Sequence, residues 1–313
     1  MINQAHNQPL VYVIILNWNN APDTIECLQS LQTSNYQPAI PLIVDNGSTN
    51  GSVEEIRENF PSIDIIELEE NLGYAAGNNV GIKHAMSDGA DYVLILNNDT
   101  LVSPDMLGEL IQFAQSKPNA GIVGPRMFYA NQEDTIFAEG SFIDWGKGET
   151  YNRGMFQNAS IERETSTPER VDFIAGCCVL VSRKFLDEVG GFDPIYFLNF
   201  EDVDWGIKAW RLGYEVWYTP DSIMWHKVSG TLGQSSPTNT YYMTRNSLLF
   251  FWRNSPLHLR FVAVGTIFLR TLRRIAAWSI KPQYQNERYR KLRSANLNAL
   301  RDFVIGNFGQ MKS

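Results

Sequence analysis

Cysteine is scarce: Cys27, Cys177 and Cys178 are the only three in 313 residues. One adjacent pair and a distant single thiol cannot build a disulfide framework, and no Cys/His spacing fits a zinc site. A reducing cytosol is therefore the expected compartment. Long apolar runs are missing too. The opening "MINQAHNQPL" has neither a basic stretch nor an apolar core, so no secretory leader is expected. The longest apolar run of the C-terminal part, "FVAVGTIFL", falls far short of the ~20 residues a membrane span needs. No G-x-G-x-x-G follows the first strand-like run and no G-x-x-x-x-G-K-[ST] occurs, which excludes the standard dinucleotide and P-loop sites.

With 44% hydrophobic and 19% charged residues, the chain has an ordinary globular profile with room for one large domain or two smaller ones. Its net charge of −8 hides an asymmetry. From Arg253 to Ser313 there are 12 basic and 2 acidic residues, a net +10, against 14 basic and 32 acidic residues and a net −18 in residues 1–252. Such opposed halves suggest that the C-terminal end meets an anionic surface. No nucleic-acid-binding motif accompanies the basic tail, so nucleic acid is not an expected partner.

The first hundred residues alternate strand and helix patterns. "VYVIIL" (residues 11–16) is a continuous apolar run of the kind buried on both faces, and a helix is predicted after Asn20 with Pro22 in its first turn. "PLIVD", ending at Asp45, gives a second strand, and "NGSTNG" a turn-rich loop. Residues 53–59 read as helix, "IDIIEL" as strand, 75–86 as helix, "DYVLIL" as strand, 104–115 as helix and "GIVG" as a short fifth strand. Repeats of this size imply an α/β fold with a parallel sheet and right-handed crossovers. Residues 126–170 read as an irregular connection. "VDFIAGCCVLVSR" is strand-like, and "EDVDWGIKAWRLG" has helical spacing with Gly213 at its C-terminal end.

In open α/β sheets ligands bind at the carboxyl ends of the strands. Those ends carry Asn17-Trp18-Asn19, Asp45-Asn46, Glu69-Glu70-Asn71 and Asn97-Asn98-Asp99. Asn and Asp are ordinary turn formers, but four polar strand ends in succession point to a site. Glu201, Asp202 and Asp204 fall in the first turn of a helix, where one acid suffices for capping and three repel one another. His226 ends another short apolar strand; alone, such a histidine reads as a hydrogen-bonded structural residue.

"VIILNWNN", "LIVDNGSTNGS", "NLGYAAGNNVGI", "LILNNDT", "EVGGFDPIYFLNFEDVD", "GYEVWYTP" and "MWHKVSG" occur in this order. Together they resemble the inverting family 2 glycosyltransferases, most closely the rhamnosyltransferase-like branch, over about residues 10–255. The resemblance implies a GT-A fold, a Rossmann-like, mostly parallel central sheet flanked by helices. It implies a donor half over about 10–125, an acceptor half over about 126–253, and a basic helical extension over 254–313. By the same resemblance, Asn17 and Asn19 lie near the donor's base, Asp45 reads it, and Gly73 and Asn78 pass the ribose and diphosphate. Asn97-Asn98-Asp99 stands at the D-x-D position, Asp99 and His226 are ligands of Mg²⁺ or Mn²⁺, and Asp202 is the general base. Asn97 departs from the pattern by removing one carboxylate, which puts metal affinity in doubt. The Q-x-x-R-W motif of processive synthases is absent, so transfer of single residues is expected.

The expected partners are a nucleoside-diphosphate sugar (dTDP-rhamnose or a UDP-sugar) and a glycan or lipid-linked acceptor of cell-surface polysaccharide assembly. The expected chemistry needs a cation to offset charge on the leaving diphosphate and a carboxylate to take the acceptor's proton. Glu201 and Asp204 are expected to raise the proton affinity of Asp202 by like-charge repulsion. Trp145 and Arg153 are candidate acceptor contacts. A sugar nucleotidyltransferase would need a Gly-rich, Arg-containing loop where "NWNNAPDT" stands, and an inactive sugar-nucleotide-binding subunit would be expected to lack Asp99 or Asp202. Residues 257–281 are helical in pattern, with Arg260, Arg270, Arg273, Arg274 and Lys281 within one arc of ~140°. Phe261, Val264, Phe268, Leu272 and Ile275 lie opposite. This helix either packs on the core with a solvated basic face or lies on an anionic membrane at the inner face of the cell.

Overall fold

The computed structural model describes residues 8–159, 167–228 and 236–311. The end of the "MWHKVSG" stretch, Ser229 and Gly230, and the first seven residues lie outside the described residues. The chain opens as β1 (Val11–Asn17), α1 (Ala21–Gln32), β2 (Ala39–Asp45), α2 (Ser52–Asn59), β3 (Asp64–Glu67), α3 (Gly73–Ser87) and β4 (Tyr92–Asn97). It continues through β5 (Thr100–Val102), α4 (Met106–Ser116), β6 (Ala120–Tyr129), β7 (Gln132–Ala138), β8 (Ser141–Asp144), β9 (Glu149–Asn152), β10 (Glu169–Arg170) and β11 (Cys178–Ser182). The remainder is α5 (Arg183–Val189), α6 (Glu201–Arg211), β12 (Glu215–His226), α7 (Pro237–Asn254), α8 (Leu257–Ile280) and α9 (Glu287–Ile305).

One large mixed sheet runs β10-β12-β6-β11-β4-β1-β2-β3. β4, β1, β2 and β3 are parallel, and β1 and β4 are buried along nearly their whole length because helices cover both faces. Chain order reverses between β1 and β4, and that switch opens a crevice at their carboxyl ends. β11 then enters antiparallel to β4, with Cys178 opposite Leu96. It therefore brings its beginning, not its end, to the same edge. β12 lies parallel to β6 and antiparallel to β5, with His226 opposite Thr100.

Two sequence expectations need correction. Residues 126–159 are not an irregular connection: β6 runs ten residues to Tyr129, pairs with β7, and is followed by the β8–β9 ribbon, while residues 160–166 of the same stretch lie outside the described residues. The C-terminal helix meets its expected packing in part: Val264, Phe268 and Ile275 pack against the core, but the fully buried line is a different one. α8 buries Ala263, Ile267 and Thr271, one line at i, i+4 and i+8, because small residues allow close approach to the neighbouring elements. At ~100° per residue this line lies roughly a quarter-turn from the expected apolar face. Phe261 (74% exposed) and Leu272 consequently project into solvent with Leu257, Val262, Leu269 and Ile280. Among the described residues no helix is long and apolar enough to cross a membrane.

Candidate active site

The turn between β1 and α1 and the loop after β2 are stitched together. Asn17 Nδ2 donates to Asp45 Oδ1 at 2.7 Å while its Oδ1 accepts from Thr24 Oγ1 at 2.8 Å. Asp45 also accepts from Ser48 Oγ (2.6 Å) and Ser48 N (2.9 Å). Asn19, held at φ +52°, accepts from Thr49 N and donates its own amide to Ser48 Oγ. Asp45 is thus buried and already takes three donors, with lone-pair capacity left on Oδ2. Asn98 turns towards α1, with its Nδ2 donating to Thr24 Oγ1 at 3.0 Å. Asn78 is fully buried inside α3; its Nδ2 donates to Tyr74 O, and its Oδ1 has no hydrogen-bond partner.

A second cluster occupies a cleft of about 540 Å³ whose walls include Tyr74, Asn97, Gly176, Glu201, Asp202 and His226. Strand pairing puts His226 Nε2 3.1 Å from Asp99 Oδ1, with both groups buried. Burial opposes ionisation of Asp99, but the hydrogen bond and charge of His226, helped by Lys227, hold its pKa below the usual value. Burial likewise opposes protonation of His226, yet Cys177 and Asp99 carry it up to about 10. Among the described residues no three His, Cys, Asp or Glu side chains gather as a metal cluster.

Asp202 heads α6. Its Oδ1 accepts from Val203 N and its Oδ2 from Gly176 N, each at 2.8 Å, and Gly176 is there because β11 starts at this edge. Burial raises the Asp202 pKa against the lowering effect of these amides. Glu201 is pushed well above the carboxylate range by burial and then by the Asp202 charge. Asp204 does not take part as expected from the acidic run. It points away from the cleft, accepts from Tyr196 OH and Asn254 Nδ2 at 3.0 Å each, and pairs with Lys208 at 2.9 Å. Burial, not a third carboxylate, is the main influence on Asp202.

The loop before α6 is the element that sequence reasoning missed. Phe197, Asn199 and Phe200 all have φ between +62° and +73°, a conformation that costs a non-glycine residue on the order of 1 kcal/mol. Asn246 of α7 holds it, its Nδ2 donating to the carbonyls of Tyr196, Leu198 and Asn199 at 2.7, 2.8 and 2.9 Å. From the other side Tyr74 N donates to Phe197 O at 2.7 Å. A side chain at Gly73 (φ +84°) would sit 2.5 Å from that same carbonyl, so only glycine fits there. Tyr74 OH meanwhile donates to Gly176 O at 2.7 Å. The trace of Asn246 in the sequence is a polar stretch, Thr244-Arg245-Asn246-Ser247, between the aromatic start and the apolar end of residues 241–251.

The two proposed acceptor contacts lie elsewhere. Trp145 stacks on Phe250 and meets Phe251 edge-on in the core, and Arg153 pairs with Glu169 over the rings of Phe142 and Tyr218. Phe137, Thr150, Asn152, Met155 and Met243 line the cleft instead.

Residues 12–190 match the family model described as Glycosyl transferase family 2. The chain is 26% identical over 282 residues to the N-acetylglucosaminyl-diphospho-decaprenol L-rhamnosyltransferase of Mycobacterium tuberculosis, covering 83% of this chain and 91% of that protein. It is 24% identical over 292 residues to the dTDP-rhamnosyl transferase RfbF of Shigella flexneri, covering 88% and 92%. Among solved structures, the Pyrobaculum calidifontis mannosyltransferase in complex with GDP-Man and Mn²⁺ superposes with a TM-score of 0.59 at 18% identity, covering 95% of this chain and 87% of that one. GalNAc-T7 with UDP, GalNAc and Mn²⁺ gives a TM-score of 0.63 at 16% identity, covering 93% and 55%. These likenesses establish a GT-A fold.

Proposed function

The chain belongs to glycosyl transferase family 2, and from that premise we propose that this glycosyltransferase performs metal-dependent, inverting transfer from a nucleoside-diphosphate sugar to a hydroxyl. Relatives named for rhamnose transfer support dTDP-rhamnose as donor, with a UDP-sugar as the other choice. The decaprenol-linked substrate in one relative's name supports a lipid-linked acceptor in cell-surface polysaccharide assembly. The observation that carries the reading is a cleft in which a half-buried, backbone-oriented Asp202 shares one space with His226, whose Nε2 lies against Asp99.

Asp202 takes the acceptor proton. Each of its oxygens accepts one backbone amide, which fixes the carboxylate and leaves a lone pair for the hydroxyl. Its raised pKa makes it a stronger base than an exposed carboxylate. As the hydroxyl oxygen bonds to the anomeric carbon from the base side, the bond to the diphosphate breaks on the far side and its electrons leave with the nucleotide, so configuration inverts. Asp99, together with His226 once it has released its proton, would hold Mg²⁺ or Mn²⁺, whose charge would offset that gathering on the diphosphate, and the imidazole favours Mn²⁺. Asp45, kept in place by Asn17 and the Asn19 turn, accepts the base N3–H at Oδ2. Asn98 braces the loop carrying Asp99. Gly73 lets the start of α3, the segment assigned to the diphosphate, close against the Phe197 carbonyl, and the fully buried Asn78 braces that segment from within α3.

The chain acts at the inner face of the membrane, supported by the exposed apolar side of α8 and the basic C-terminal part. The central test is Asp202→Asn. It should keep nucleotide-sugar binding in a thermal-shift screen of dTDP-, UDP- and GDP-sugars while losing about 10²–10⁴-fold in transfer. Near-normal turnover would move the base to Glu201.

A further inference from the structure

Half-buried Arg270 and the more exposed Arg274 of α8 stand at the rim of a groove of about 300 Å³ shared with β9 and α7. Thr150, Phe200 and Met243 line both this groove and the catalytic cleft, so the two adjoin across these three side chains. Phe200 stands two residues before Asp202. The other walls include Ile267 and Thr271 of α8, and beyond them the helix carries its exposed row of Leu257, Phe261, Leu269 and Leu272. Arg270 pairs with Glu149 and donates to Gly148 O at 3.2 Å. Arg274 rests over the Trp278 ring, and among the described residues no carboxylate pairs with it. Two guanidiniums thus face one groove with a single carboxylate between them, an unbalanced positive charge beside apolar walls. Guanidinium forks match phosphate oxygens in bidentate geometry.

We propose that this groove holds the diphosphate of a prenyl-diphosphate-linked acceptor, with Arg270 and Arg274 clasping the phosphates. The attached sugar then reaches past Thr150, Phe200 and Met243 to Asp202, and the prenyl chain leaves along the exposed apolar side of α8. This rests on the reading of the chain as a glycosyltransferase with a lipid-linked acceptor, and deepens it. Glu149 is the competing anion: the diphosphate displaces it from Arg270 on binding.

The test is calorimetric binding of farnesyl diphosphate with dTDP or UDP and Mn²⁺ present in excess, so that the donor site is filled. Arg270→Gln/Arg274→Gln should weaken binding about tenfold for each arginine removed. Glu149→Gln should tighten it about two- to fivefold, a change that a purely structural ion pair would not produce. Farnesol should bind weakly and equally to wild type and the double variant, whereas inorganic pyrophosphate should bind with the arginine dependence but below the affinity of the ester. Arg288→Gln on α9 controls for loss of charge. Unchanged farnesyl diphosphate affinity in the double variant, or displacement of the probe by nucleotide, overturns the proposal. A wild type that binds no nucleotide sugar would instead sink the glycosyltransferase reading, and the farnesyl diphosphate result would still decide the groove.

Discussion

Replacing Asn246 with alanine removes the side chain that holds the loop before Asp202. Its Nδ2 has two hydrogens shared among three carbonyls, and its Oδ1 accepts from Arg245 Nε at 3.0 Å. Asn246 is fully buried, so water does not readily replace those bonds. Two donated bonds and one accepted bond at about 1 kcal/mol each, more where a buried group stays unpaired, give a loss of roughly 3–5 kcal/mol. That is a large part of a typical folding free energy of about 5–15 kcal/mol, so the variant should remain folded only at low temperature or with ligand. The catalytic consequence is separate. The carbonyls freed are those of Tyr196, Leu198 and Asn199, residues whose neighbours are held at positive φ, and a relaxed loop moves Asp202. A displacement of about 1 Å at the reacting centre costs on the order of 10²-fold. Steady-state kinetics at a temperature where circular dichroism shows a folded variant should find kcat down about 100-fold, with donor KM little changed because Asp45 and Asp99 stand on other elements. If kcat stays within about twofold of wild type, or KM for the donor shifts by the same factor as kcat, the loop is not what positions the base.

Transfer needs Asp202 ionised, and its folded pKa is raised; activity should fall as pH drops through a value above the ordinary carboxylate range of about 4. Because burial is the leading cause, Glu201→Gln should leave that acid limb in place, and a limb that falls to the ordinary range in this variant would show that the neighbouring charge sets it. Asp99→Ala and His226→Ala should both weaken Mn²⁺-dependent donor binding, Asp99→Ala more severely, and EDTA should reduce donor affinity of the wild type in calorimetry; indifference to EDTA removes the metal assignment. In flotation with anionic liposomes the protein should rise with the vesicles at low salt. Leu257→Ser/Phe261→Ser should prevent this, and retained flotation would mean that the exposed side of α8 does not touch lipid.

The parallel strands were readable because "VYVIIL" and "DYVLIL" are unbroken apolar runs, a pattern that burial on both faces requires. Strand direction was not readable. Nothing in "CCVLVS" states that β11 will enter antiparallel, and it is that direction which puts Gly176 against Asp202. The hairpins between residues 126 and 159 were hidden although their pairing is local, because β7 and β9 are rich in polar residues and their polar turns mimic a loop. The acidic run at 201–204 was informative as a group and misleading in detail, since Asp204 faces Tyr196 and Lys208 in the interior. For α8, hydrophobicity alone selects the side with Phe261 and Leu272, whereas close packing selects Ala263 and Thr271, whose small volume a hydropathy pattern ignores.

The antiparallel seam between β4 and β11 also bears on how such an enzyme diverges. Asn97 N donates to Cys177 O at 2.9 Å, so the strand end before Asp99 and the Gly176 amide that Asp202 accepts belong to one stretch of sheet, and on the proposed function an insertion there would disturb both reactants at once. Thr150 and Asn152 reach the same cleft from a separate two-stranded ribbon. On the proposed function, the ribbon could be remodelled for a different acceptor without touching Asp99, Asp202 or His226, which makes it the place to begin when retargeting the enzyme.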